Sequence, residues 1–137
     1  MNLHKVDRAD FSGVISDTHK AVFGVALPDS FFRYDYALAT TEGDNPISYC
    51  LIKEQDEDSC ELTYGGTVST ARGLQSVKSF RLFVGFTLDH YKRVHIQVEN
   101  KNFPMLKLAL SEEFLVSGTR LAQDGRMFLL MTKEFGG

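Results

Sequence analysis

The residues whose types and spacing best suit chemistry lie between Thr67 and Phe114. Thr67-Val68-Ser69-Thr70-Ala71-Arg72-Gly73 is a basic loop that follows a strand pattern and opens an amphipathic helix. Such a junction aims backbone N–H groups and the positive end of a helix dipole at a phosphate. A phosphate-bearing cofactor is therefore the first chemistry suggested, although most of the glycines such a loop uses are missing. Further along, Asn102 stands at the start of a second helix, where an asparagine acts as a cap. His95 sits mid-strand and reads as a general base or as a half-buried histidine bonded to a neighbour. Glu61 is a candidate base if its side chain faces the space between the central strands, which the chain alone does not fix.

Two further groups of reactive residues read as structural. With Glu54 and Ser59 flanking a hairpin turn, Cys50 pairs near Thr63 and Cys60 near Lys53. That sets the thiols about three residues, or ~10 Å, out of register, beyond disulfide reach. Both are expected to be reduced and packed. Gln55-Asp56-Glu57-Asp58 reads as a solvated hairpin tip, because no further carboxylates or histidines stand at ligand spacing. No metal is expected.

The elements that position these residues follow from hydrophobic periodicity. A helix is expected to open at Ala9-Asp10-Phe11-Ser12, with Asp10 as N-cap and Val14, Ile15 and His19 turned inward. Phe31-Phe32-Arg33 starts a short turn or strand, and Tyr34 to Thr40 alternates as a strand. A turn at Glu42–Pro46 leads to a hairpin of Ile47–Ile52 and Cys60–Tyr64. Gly65-Gly66 is expected to end that strand and to permit a bulge or a close backbone approach. From Leu74 to about His90, Val77, Phe80, Val84, Leu88 and Tyr91 recur at helical spacing. Val94 to Val98 alternates with three branched aliphatics on one face. Pro104 to Leu110 is the next helix, with Pro104 suiting its first turn. Phe114–Arg120 and Met127–Lys133 form a last hairpin across Asp124-Gly125. The order helix, meander, helix, strand, helix, hairpin describes an α+β domain with a mixed sheet covered on both faces.

The chain has 137 residues, 43% of them hydrophobic, and a formal net charge of −3. That composition points to one globular domain spanning 1–137, and away from nucleic acid or a polybasic membrane surface as partner. The N-terminal stretch lacks the apolar run of a signal peptide, and no stretch approaches the length of a spanning helix. A cytoplasmic location is the expectation.

The element order, Arg72-Gly73, and Asn102 followed twelve positions later by Phe114 resemble the GNAT superfamily of acetyl-CoA-dependent N-acyltransferases. Members carry a strand ending in Arg-Gly-x-Gly-x-Gly/Ala, then a long helix, a second strand, an Asn, and the Phe of a Gly-Phe pair. The resemblance covers roughly Ile47 to the C-terminus. It implies a mixed, mostly antiparallel sheet whose central parallel strands splay apart, with helices on both faces. It implies acetyl-CoA as cofactor, with its pyrophosphate near Val68, Arg72, Gly73, Gln75, Ser76 and Val77, and with Asn102 in the pocket. Coenzyme A and a small or protein amine are the implied partners. Arg72, Lys78 and Arg81 read either as phosphate-neutralising or as a solvated helix face.

Four positions depart from the family pattern. Gln75 and Val77 replace the second and third loop glycines, Glu113 replaces the glycine before the Phe, and Ala109 stands where members often have a Tyr that protonates the leaving thiolate. Tyr64 and Tyr91 are candidate substitutes for it, or aromatic packing residues. A narrower resemblance, in the degenerate loop and the ending from Asp124-Gly125, is to small GNAT-like proteins of tailed phages, including internal virion proteins of podoviruses. It implies a second reading: a non-catalytic structural or interaction protein with virion or host partners, located in the virion or the host cytoplasm. Phe residues on the helix from Leu74 to Tyr91 either face a second copy in a homodimer or are deeply buried.

Overall fold

The computed structural model describes residues 1–68 and 73–135, leaving aside the side chain of Tyr64. Arg72, one of the expected phosphate ligands, lies outside those residues. Among the described residues, seven strands form one sheet in the order β1-β2-β3-β4-β5-β7-β6. They are β1 (Asn2–Asp7), β2 (Tyr36–Glu42), β3 (Asn45–Glu54), β4 (Ser59–Thr67), β5 (Arg93–Glu99), β6 (Leu115–Leu121) and β7 (Met127–Glu134). All neighbours pair antiparallel except β4 and β5, which run parallel. Helix α1 (Val14–Phe23) covers one face; α2 (Leu74–His90) and α3 (Phe103–Ser111) cover the other.

The periodicities explain this layering. Phe80, Phe83, Val84 and Thr87 recur at three- and four-residue steps, so α2 buries one stripe against β3, β4 and β5. Thr87 would bring an unpaired hydroxyl into that core, but its Oγ1 donates to the Phe83 and Val84 carbonyls at 3.1 and 2.8 Å. Val94, Ile96 and Val98 of β5 point into the same layer, and Phe114 packs on Phe80 at 5.9 Å between ring centroids. Phe80 and Phe83 are both fully buried and face the core, while Phe86 of the same helix is half-buried at its margin.

The opposite face is built on Phe11, Ile15, Tyr49 and Leu51. Its entrance differs from the expectation. A 3-10 turn at Arg8–Asp10 precedes α1, whose N-cap is Gly13 with no side-chain cap, so Asp10 is not the cap. The physical reason is Phe11, which is 0% exposed: the turn drops its ring into the core before the helix begins. Strand β1 also goes beyond the sequence reading, since only Val6 in it is buried and no alternation marks it.

The hairpin register is one position from that expected. Cys60 pairs with Glu54, and Cys50 with Tyr64. Gln55 and Asp56 N–H groups both donate to the Ser59 carbonyl, and the Asp58 N–H donates to the Asp56 carboxylate, so the tip closes one residue later on its first strand. Both thiols are free and buried. Strand β4 does not end at the glycines but runs through Gly65-Gly66 to Thr67, with Gly65 as the extra residue of a bulge opposite Tyr49 and Cys50. A Cβ on Gly65 would lie 2.3 Å from the Tyr49 ring, so glycine here answers a close approach.

Tyr49 is held by His19 across α1, with Nδ1 and the hydroxyl 2.7 Å apart. The other ring nitrogen, Nε2, is buried without a partner among the described residues, and burial holds the His19 pKa below its ordinary value. A proton on this ring is thus taken up more readily by the unfolded chain than by the folded one. The associated stability is full above the unfolded histidine pKa of about 6.5 and is lost as the pH falls through it. The melting temperature is expected to drop between about pH 7.5 and 5.5, and His19→Gln to drop less over the same range. Parallel slopes for the two proteins would refute this role.

Candidate functional site

Among the described residues, strands β4 and β5 pair through three positions: Ser59 with Arg93, Cys60 with Val94, and Glu61 with His95. Beyond these the strands diverge, because β4 stays paired to β3 through Thr67 while β5 stays paired to β7 through Glu99. The gap opens a cleft of about 940 Å³ whose walls include Gly65, Gly66, Gly73, Ser76, Asn102 and Glu61. That size suits a cofactor-sized ligand.

One end of the cleft is the start of α2. Gly73 is its N-cap at φ +90°, with no side-chain cap. The first-turn N–H groups of a helix have no partner within it, and here no side chain of the cap residue supplies one. Ser76 is fixed by the Thr67 hydroxyl, which donates to both Ser76 Oγ and Ser48 Oγ at 3.2 Å. These contacts tie the end of β4, β3 and the first turn of α2 into one frame. Gly66, at φ +153°, brings its backbone against Val22 of α1, where a Cβ would come within 2.9 Å.

The other end is the start of α3. Asn102 lines the cleft and also caps that helix, its Oδ1 accepting from the Met105 N–H at 3.3 Å. The cap and pocket readings therefore coexist in one residue. Of the other expected ligands, Gln75 and Val77 are half-buried in the first turn of α2 and do not belong to the cleft wall. Val68 is buried with Ile47, its N–H donated to the Ile47 carbonyl at 2.8 Å. Lys78 is exposed on α2, whereas the Arg81 Nε donates to the Glu112 carboxylate at 3.0 and 3.1 Å.

Glu61 settles the question of facing. Its neighbours Cys60 and Leu62 point into the α2 layer, so alternation turns Glu61 to the opposite face. There it is half-buried at the mouth of the splay. The Gln97 Nε2 donates to Glu61 Oε2 at 3.4 Å across the gap, and Gln97 Oε1 accepts from Arg120 Nε at 2.9 Å. A side-chain amide thus bridges β4 and β5 at the first level where their backbones no longer do. The sequence reading did not single out Gln97; its place two residues after His95 was the available signal. His95 itself lies 2.9 Å from the Thr132 hydroxyl through Nδ1, as the bonded-histidine reading expects.

Other candidates are engaged in packing. Ala109 is fully buried on the inner face of α3. The Tyr91 hydroxyl lies 2.9 Å from that of Tyr36 in the core, and burial raises the pKa of both phenols. Burial also pushes the Cys60 thiol up to about 12 and Cys50 well above its usual value, so neither is a thiolate at neutral pH. Glu113, in place of a glycine in the family pattern, takes φ +68°, the conformation that glycine adopts most easily. Among the described residues no three histidines, cysteines or carboxylates gather as a metal site, and no helix is long and apolar enough to cross a membrane.

No protein-family model and no curated protein sequence matches the chain. Its backbone is nevertheless similar to many solved structures. The ribosomal-protein-S18-alanine N-acetyltransferase from Escherichia coli superposes with a TM-score of 0.77 at 12% identity, covering 99% of this chain and 94% of that one. A GNAT family acetyltransferase from Elizabethkingia anophelis with acetyl-CoA bound gives 0.72 at 12% identity, with 97% of each chain covered. Arabidopsis thaliana NAA60 in complex with acetyl-CoA gives 0.70 at 14% identity, covering 97% of this chain and 98% of that one. The fold is that of the GNAT acetyltransferases: α+β, with a mixed sheet, a splayed parallel pair, and helices on both faces.

Proposed function

We propose that the chain is an acetyl-CoA-dependent N-acyltransferase of GNAT type. The observation that carries this reading is the cleft where β4 and β5 part, with a helix start whose N-cap is a glycine at one end and a carboxylate at its mouth. The residues present fit the cofactor. The first-turn N–H groups of α2 meet the pyrophosphate at the positive end of a 17-residue helix. Arg72 and Lys78 add positive charge, the unpaired edges of β4 and β5 accept the pantetheine amides, and Asn102 closes the far side. Gln75 and Val77 contribute through their backbone.

Bound acetyl-CoA supplies the thioester carbonyl as electrophile. Glu61 takes a proton from the acceptor amine as the new N–C bond forms and the C–S bond breaks, leaving no covalent link to the protein. Gln97 and Arg120 hold that carboxylate in place. With Ala109 where members often carry a tyrosine, the thiolate departs to solvent.

The test is thermal melting with and without coenzyme A. A ligand at a hundred times its Kd stabilises a fold by about 2.7 kcal/mol, a rise of several degrees. Lys78→Glu, which reverses an exposed charge near the start of α2, should weaken the rise while leaving the melting point of the free protein little changed. No rise for the unaltered protein would overturn the proposal. Ala109, Gln75 and Val77 favour a second reading, that of a non-catalytic virion or interaction protein with the same fold. Absence of the coenzyme A shift, together with co-sedimentation with virion components, is the outcome it expects.

A further inference from the structure

A second hollow, of about 350 Å³, opens beside the cleft and is lined by Ser30, Phe31, Arg33, Tyr34, Lys53 and Glu61. Tyr34 and Glu61 belong to both walls, so the two spaces reach the same carboxylate from different sides. Resting on the acyl-transfer reading above, we propose that this hollow is the acceptor site and that it takes a free amino acid with an apolar side chain.

Three features of the wall carry this assignment. The first is charge: Arg33 and Lys53 share the wall with Glu61, and Asp35 beside Lys53 offsets one of the two cations, leaving Arg33 for a ligand. Lys53 Nζ is steered by the Arg33 carbonyl at 3.0 Å and lies 4.0 Å from Asp35. Arg8, Arg81 and Arg126 each face a carboxylate of the protein, whereas Arg33 has no such ion pair among the described residues. Its planar fork is therefore open to a carboxylate from outside. The second is the aromatic side of the hollow, where Phe31 and Tyr34 meet edge-on with centroids 6.5 Å apart and offer an apolar surface. The third is the shared Glu61, which receives the ammonium end of the same molecule where the thioester arrives. The Thr63 Oγ1 donates to the Tyr34 hydroxyl at 3.4 Å, which helps hold that ring in the common wall.

The experiment is calorimetric titration of the full chain with L-phenylalanine and with 2-phenylethylamine, which keeps the ring and the amine but lacks the carboxylate. Both are titrated without coenzyme A, so a failure of cofactor binding leaves this result standing and the reverse. The amino acid is expected to bind about tenfold or more tightly than the amine, the scale of a charge-assisted contact. Arg33→Ala should remove that preference and Arg33→Glu should invert it. Arg33 is exposed, so both variants should melt with the unaltered protein. Equal affinities, or binding of neither compound, would overturn the assignment.

Discussion

Glu61→Gln is expected to slow acetyl transfer by roughly 10²–10⁴-fold, the usual contribution of general base catalysis. Glutamine keeps the shape of the side chain and an oxygen for the Gln97 amide, which now donates at 3.4 Å, so position and stability should persist. What it cannot do is accept a proton. The loss should therefore fall on kcat, with the KM for acetyl-CoA little changed. Steady-state rates of thiol release against acetyl-CoA concentration measure both. A variant that turns over like the unaltered protein would assign the proton to water or to another group.

Phe114→Ala should cost about 3–5 kcal/mol of folding stability, a large share of what a domain of this size possesses. Phe114 is fully buried, stacks on Phe80, and anchors the chain where α3 turns into β6, its N–H donating to the Ala109 carbonyl at 3.0 Å. Truncation removes a ring from the layer between α2, α3 and the sheet, and neighbours tied to three elements cannot collapse into the space. Urea unfolding should show a lower midpoint at unchanged slope. A loss below about 1 kcal/mol would mean that the layer is not as tightly packed as its burial indicates.

The parts of this fold that sequence reveals are those where one period runs unbroken. Helix α2 begins at Leu74 and ends at His90, as its apolar spacing predicts, and Val94, Ile96 and Val98 alternate into the core. Strand β1 escaped because its register comes from hydrogen bonding to β2, and only Val6 pays a visible hydrophobic signature. The start of α1 was misplaced because the burial of Phe11, a tertiary effect, overrode the capping preference of Asp10. The Gly65-Gly66 pair was read for its local meaning and did bring a bulge, yet the ladder to β3 carries the strand onward.

The candidate site divides in the same way. Asn102 and the junction at Gly73 and Ser76 were visible as local signals, a cap and a helix start. Glu61, Gln97 and Arg120 meet only because four strands, β4, β5, β7 and β6, fall into register, and spacing along the chain encodes none of that. The hollow at Phe31–Tyr34 is further from view, since a 3-10 turn has no periodicity and its residues are brought to Lys53 and Glu61 by the sheet.

The offset of the two sulfurs has a consequence for where this molecule can live. Held four ladder positions apart on neighbouring strands, each in a dry apolar layer, Cys50 and Cys60 can neither bridge one another nor meet an oxidant while the native state persists. The two thiols therefore give the fold no dependence on the thiol–disulfide poise of its surroundings.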